Sequence, residues 1–145
     1  MNLTSSSEIQ FAKIYTRKIK QIRDPKISEF NFKVLHLLLS CNKNLVIWRK
    51  QESKLCEICE QIEDIPHLLY NCVFAQEVWQ FIQQQLKSNI SLNMVIYGGE
   101  NYVETYLISL ISYIIYKHWL LCKINHEIRT WTSFKISLSK ELKYI

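Results

Sequence analysis

Residues 56–72 read CEICEQIEDIPHLLYNC, and they hold three of the five cysteines and one of the four histidines in this 145-residue chain. The spacing is C-x2-C-x7-H-x4-C, through Cys56, Cys59, His67 and Cys72. A C-x2-C turn brings two sulfurs to one side of a tight loop, at a separation suited to a single tetrahedral ion. Asp64 is a good N-cap and Pro66 a good first-turn residue, which predicts a short helix that carries His67 and closes before Cys72. Three thiolates and one imidazole saturate a zinc ion and leave no open position for substrate or activated water, so a site of this kind is structural. Against it stands the plainer reading of buried thiols and a core histidine. Four ligand-type residues in one short segment favour zinc. A thioredoxin-like redox pair is weaker than either, because no strand precedes Cys56 and no helix opens directly after it.

The rest of the chain sets the context for that segment. Apolar residues make up 48% and charged residues 21%, a globular composition, and the length suits one domain spanning residues 1–145. With only two glycines and two prolines, the chain favours long helices over many short strands, and the expected fold class is all-α, a small helical domain with an embedded zinc site. The N-terminal MNLTSSSEIQ has no basic segment followed by an apolar run. The expected location is therefore intracellular, cytoplasmic or nuclear, where thiols stay reduced. The run YLISLISYIIY, residues 106–116, is too short to cross a bilayer and reads as a buried core helix, so no membrane association is expected.

Helical periodicity recurs along the sequence. Ser5 with Glu8 forms a possible capping box, and Ile9, Phe11, Ala12, Ile14, Tyr15, Ile19 and Ile22 follow helical spacing up to Asp24-Pro25. A second helix is expected over KISEFNFKVLHLLL, broken by CNKN, then a short helix bearing Leu45 and Trp48. After the Cys/His segment, VFAQEVWQFIQQQL reads as a helix, a turn falls at Gly98-Gly99, a long apolar helix runs to about His126, and a last helix starts near Trp131.

In this order, EFNFKVLHLLL, NKNLVIW, CEIC, EDIPHLLYNC and VFAQEVW resemble the zinc-binding region at the C-terminal end of reverse transcriptases from non-LTR retrotransposons. The later LISLISYIIYKHWLL is similar to the Ile/Tyr-rich helix that follows in some of these elements. The resemblance runs from about Phe11 to about Arg129, and it implies one structural zinc ion on Cys56, Cys59, His67 and Cys72. The chain departs from the family at Cys41, where the family often carries proline. The polymerase of such elements needs paired aspartates to hold two metal ions, and this chain has only Asp24 and Asp64, far apart. The expectation is a detached, non-enzymatic accessory segment, one that acts on no small-molecule substrate.

Charge is unevenly distributed. Residues 1–55 hold 11 Lys and Arg against 4 Asp and Glu, residues 56–104 hold 1 against 7, and residues 105–145 hold 6 against 2. The zinc segment itself carries Glu57, Glu60, Glu63 and Asp64, so any contact with RNA or DNA is expected from the flanking basic helices. The candidates are Arg17, Lys18, Lys20, Arg23, Lys26, Arg49 and Lys50, with Tyr15 and Trp48 as aromatics that stack on bases or belong to the core. A scaffold that packs only on a polymerase body or another protein is the alternative. His118, Cys122 and His126 share four-residue spacing, but a second metal site there lacks a fourth ligand.

Overall fold

The computed structural model describes residues 5–142. Among them are seven α-helices and two π-helical turns, with no strand. Helix α1 (Ser5–Tyr15) continues into a π turn (Thr16–Lys20), and α2 (Pro25–Leu35) follows. The Ser5 side chain, and with it the capping box expected there, lies outside the described residues. Helix α2 starts as the sequence indicates, with the Asp24 carboxylate accepting from the Lys26 N–H at 2.9 Å and Pro25 in the first turn.

Helix α2 is shorter than its apolar pattern suggests. It ends at Leu35, and Leu37 takes a left-handed conformation (φ 57°) while the Leu38 N–H reaches back to the Lys33 carbonyl at 2.8 Å. The same closure recurs after α3 (Asn42–Ile47), α4 (Val73–Leu86) and α6 (Tyr102–Ile124), with Arg49, Lys87 and His126 at the left-handed position. These positions usually hold glycine, so the four stops carry no glycine signal in the sequence.

Helix α5 (Leu92–Tyr97), which the apolar pattern does not indicate, fills the segment before the glycines. Ser91 caps it, and Gly98 ends it at φ 98°. Helix α6 begins at Asn101, whose side chain accepts from the Glu104 N–H at 2.9 Å. Long and apolar enough to cross a bilayer by length and composition, α6 here buries Ile108, Ile111, Ile114, Ile115 and Trp119 in one core. Helices α2, α5 and α7 (Trp131–Leu142) pack on it. One continuous cluster of buried side chains runs from Ile22 to Phe134 and includes Cys56, Leu68, Leu69, Cys72 and Trp79, so the Cys/His segment is part of the main core.

Candidate metal centre

Three local features assemble the Cys/His segment. The Cys56 N–H donates to the Gln61 carbonyl at 2.7 Å and the Glu60 N–H to the Cys56 carbonyl at 2.9 Å, closing the C-x2-C turn, with Glu60 left-handed at φ 57°. A single antiparallel bridge between Leu55 and Ile62 holds the base of the loop. Beyond it, the Asp64 carboxylate accepts from the His67 N–H at 2.8 Å, the N-cap expected from sequence.

The third feature is a π turn over His67–Asn71, closed by the Cys72 N–H on the His67 carbonyl at 2.8 Å. In a regular α-helix, residues five apart point about 140° away from each other. The wider turn brings positions five apart closer to alignment, and His67 and Cys72 converge. Leu68 and Leu69 are buried within it, and the Trp79 indole N–H donates to the Leu69 carbonyl at 2.8 Å, tying the turn to α4.

As a result, one ligand atom from each of Cys56, Cys59, His67 and Cys72 lies within 4.8 Å of the others. The Cys56 and Cys72 sulfurs are 3.8 Å apart, and those of Cys59 and Cys72 are 3.7 Å apart. A tetrahedron with zinc–sulfur bonds of about 2.3 Å has sulfur–sulfur edges of about 3.8 Å, so the separations match. His67 Nε2 is buried with no hydrogen-bond partner in the protein, as an atom that would ligate a metal should be. The donor set and its spacing suit a zinc ion. Shared hydrogen bonding to Cys72 pulls the Cys56 thiol far below its usual range and pushes Cys72 up, so two thiolates this close form readily only with a cation between them.

Around the ligands sit groups the sequence did not reveal. Glu63 and Arg129 are both buried and form an ion pair at 3.6 Å, and Arg129 Nη2 also lies 3.6 Å from the Cys56 sulfur. The Phe74 ring lies under the guanidinium at 5.4 Å. Glu63 also accepts from the Asn42 N–H through Oε1 at 3.0 Å, and its carbonyl accepts from the Lys43 N–H at 2.9 Å, so it holds the first turn of α3. Burial raises the Glu63 carboxyl, and Asn42 and Arg129 oppose that rise. Of the four acids expected in the zinc segment, Glu63 is buried and Asp64 is a half-buried helix cap, while Glu57 and Glu60 are exposed.

The candidate nucleic-acid residues separate in the same way. Lys18 is 1% exposed, its amine donating to the Val95 carbonyl at 3.1 Å and the Ser109 hydroxyl at 3.3 Å. Burial lowers its pKa to about 7. Lys18 is thus a core residue and not a surface contact. The signal for this was present, because Ile14, Lys18 and Ile22 lie four apart on one stripe. Arg17 is half-buried and donates to the Gly99 carbonyl at 2.9 Å. Lys20, Arg23, Lys26, Arg49 and Lys50 are exposed. Tyr15 is half-buried beside Phe11, whereas Trp48, at the end of α3, is 40% exposed.

The His118–Cys122–His126 row is not a metal site. His118 is buried between the Ser133 and Ser137 hydroxyls of α7, each 3.1 Å from a ring nitrogen, and burial with nearby Arg129 lowers its pKa to about 4. His126 lies beyond the end of α6, exposed. Cys41 and Cys122 are buried free thiols.

A family described as zinc-binding in reverse transcriptase matches residues 3–79. Among curated proteins, a "Putative helicase/primase complex protein" from the Warthog/Namibia isolate of African swine fever virus is 31% identical over 72 residues, 50% of this chain and 7% of the relative. Its counterpart from a Tick/Malawi isolate is 30% identical over 83 residues, 57% of this chain and 7% of the relative. The chain therefore spans only a small fraction of the length of these relatives. No solved structure matches it. With the family match covering more than half of the sequence, and the Cys56, Cys59, His67 and Cys72 cluster shaped for zinc, the chain belongs to the zinc-binding domain family of reverse transcriptases.

Proposed function

We propose that the domain is a zinc-stabilised nucleic-acid-binding accessory module of a non-LTR retrotransposon type of reverse transcriptase. In this reading Cys56, Cys59, His67 and Cys72 hold one structural zinc ion, and the domain binds and performs no catalysis. One observation carries it. Helix α3 is tied at its N-terminus to the metal segment through Glu63, and at its other end it presents Trp48, Arg49 and Lys50 to solvent. Zinc would thus order a small basic and aromatic face that it does not itself form. Cations neutralise phosphates and an exposed indole stacks on bases, a combination that favours single-stranded RNA or DNA. The viral relatives, named for a helicase/primase complex, are in keeping with this.

The same surface supports a second reading. Ile47, next to Trp48 in the chain, and Leu37, whose carbonyl accepts from the Asn44 side chain of α3 at 3.1 Å, are 63% and 68% exposed, and exposed apolar side chains of this kind suit packing on a polymerase body or another protein. Affinity of zinc-loaded protein for labelled RNA and DNA, measured against salt, separates the two. Binding that weakens with salt supports the first reading, and absence of binding at low salt leaves the scaffold.

A further inference from the structure

We propose that Arg129 is a positioning residue of the metal centre, one that donates to the Cys56 sulfur from outside the ligand set and lowers its reactivity. It lies in the loop between α6 and α7, 73 residues from Cys56 and beyond the residues matched by the family. Its side chain is 5% exposed, so this charge has been carried into the core against a large desolvation cost. A single nitrogen, Nη2, stands 3.6 Å from both the Cys56 sulfur and Glu63 Oε2, while Nη1 has no partner. Guanidinium–carboxylate pairs are frequently bidentate, whereas here no hydrogen bond reaches Glu63 Oε2 and the hydrogen bond from Nη2 goes to the Cys56 sulfur. This guanidinium is shared between a carboxylate and a sulfur.

The charges explain the arrangement. A divalent ion with three thiolates and a neutral imidazole would carry one net negative charge, the buried Glu63 carboxylate beside it adds a second, and the guanidinium brings the total back to one. An N–H donor to a thiolate also withdraws electron density from the sulfur, which makes it a poorer nucleophile without displacing it from the metal. Glu63 holds Arg129 on one side and the N-terminus of α3 on the other, so the pair connects the metal, the last third of the chain and the helix carrying Trp48.

The full chain, zinc-loaded, is the test material, with Arg129→Gln, Arg129→Lys and Glu63→Gln as variants. Zinc affinity is measured by competition with a chromophoric chelator, cysteine reactivity by the rate of iodoacetamide alkylation of the zinc-bound protein, and folding by circular dichroism. Arg129→Gln is expected to weaken zinc binding by about 10- to 100-fold and to speed alkylation, and Arg129→Lys to recover part of both. A loss of thermal stability with zinc affinity and alkylation unchanged would make Arg129 an ordinary core ion pair and overturn the proposal. Should Arg129→Gln not fold, Glu63→Gln decides. Relieved of its carboxylate, Arg129 acts on Cys56 alone and alkylation slows, whereas an unchanged or faster rate overturns the proposal. Wild-type protein that binds no zinc overturns it together with the metal centre, whatever the outcome for nucleic acid.

Discussion

The sulfurs of Cys59 and Cys72, thirteen residues apart, stand 3.7 Å from each other across the turn that places His67 beside them. That is the edge length of a zinc–thiolate tetrahedron, reached by a tight loop on one side and a widened helical turn on the other.

Zinc should therefore bind with a stoichiometry of one per chain. Cys72→Ser is expected to abolish it, since structural zinc contributes on the order of 10 kcal/mol in small domains. Helicity should fall only in part, because α6 and its neighbours share a core much larger than the metal segment. Elemental analysis of metal-replete protein, alongside circular dichroism of the variant, checks both points.

Lys18 supplies a pH dependence. Its pKa in the folded chain, about 7, lies below the ordinary 10.5, so between these values the folded amine is neutral while the unfolded one is charged. Stability from this group is full above pH 10.5 and is lost as the pH falls towards 7, an effect of at most ~5 kcal/mol. The stability of Lys18→Met relative to wild type, from urea unfolding, should thus be greater at about pH 7 than at about pH 9. A difference independent of pH would mean that the buried amine keeps its proton.

Leu37 offers a test of the unusual helix stops. It is exposed and left-handed, a conformation that costs a side-chain-bearing residue about 1–2 kcal/mol. Leu37→Gly relieves that cost and adds some freedom to the unfolded chain, so a net gain of about 0.5–1 kcal/mol is expected in urea unfolding. A loss of stability would show that the leucine side chain packs well enough to outweigh the strain.

The α3 face makes the binding reading specific. Replacing Arg49 and Lys50 with Gln should lower the logarithmic salt slope for single-stranded nucleic acid by about 0.7 for each phosphate that is no longer neutralised, with zinc content unchanged. Trp48→Ala should weaken binding by about 1–3 kcal/mol. Glu57→Gln with Glu60→Gln should leave affinity equal or tighter, as anions near phosphate repel it. Weaker binding from Lys20, Arg23 and Lys26 substitutions, with no change from Arg49 and Lys50, would move the binding surface to the N-terminal helices.

Much of the metal segment was legible in the sequence because its geometry is local. The C-x2-C turn, the Asp64 cap and the placement of His67 and Cys72 depend on bonds between residues a few positions apart, and spacing encodes such bonds directly. The helical class was legible for a similar reason, since period and the scarcity of glycine and proline bear on each segment separately. Helix ends at Leu37, Arg49, Lys87 and His126 were less so, because residues without glycine's freedom occupy the left-handed positions and the surrounding fold holds them there. Lys18 lay on an apolar stripe, yet its charge argued for solvent, and only the packing of α1 and its π turn against α5 and α6 turned it inward. Arg129 and Glu63 belonged wholly to the tertiary structure. Whether a charge is buried, and what neutralises it, depends on which distant segments meet, and no spacing between Cys56 and Arg129 records that meeting.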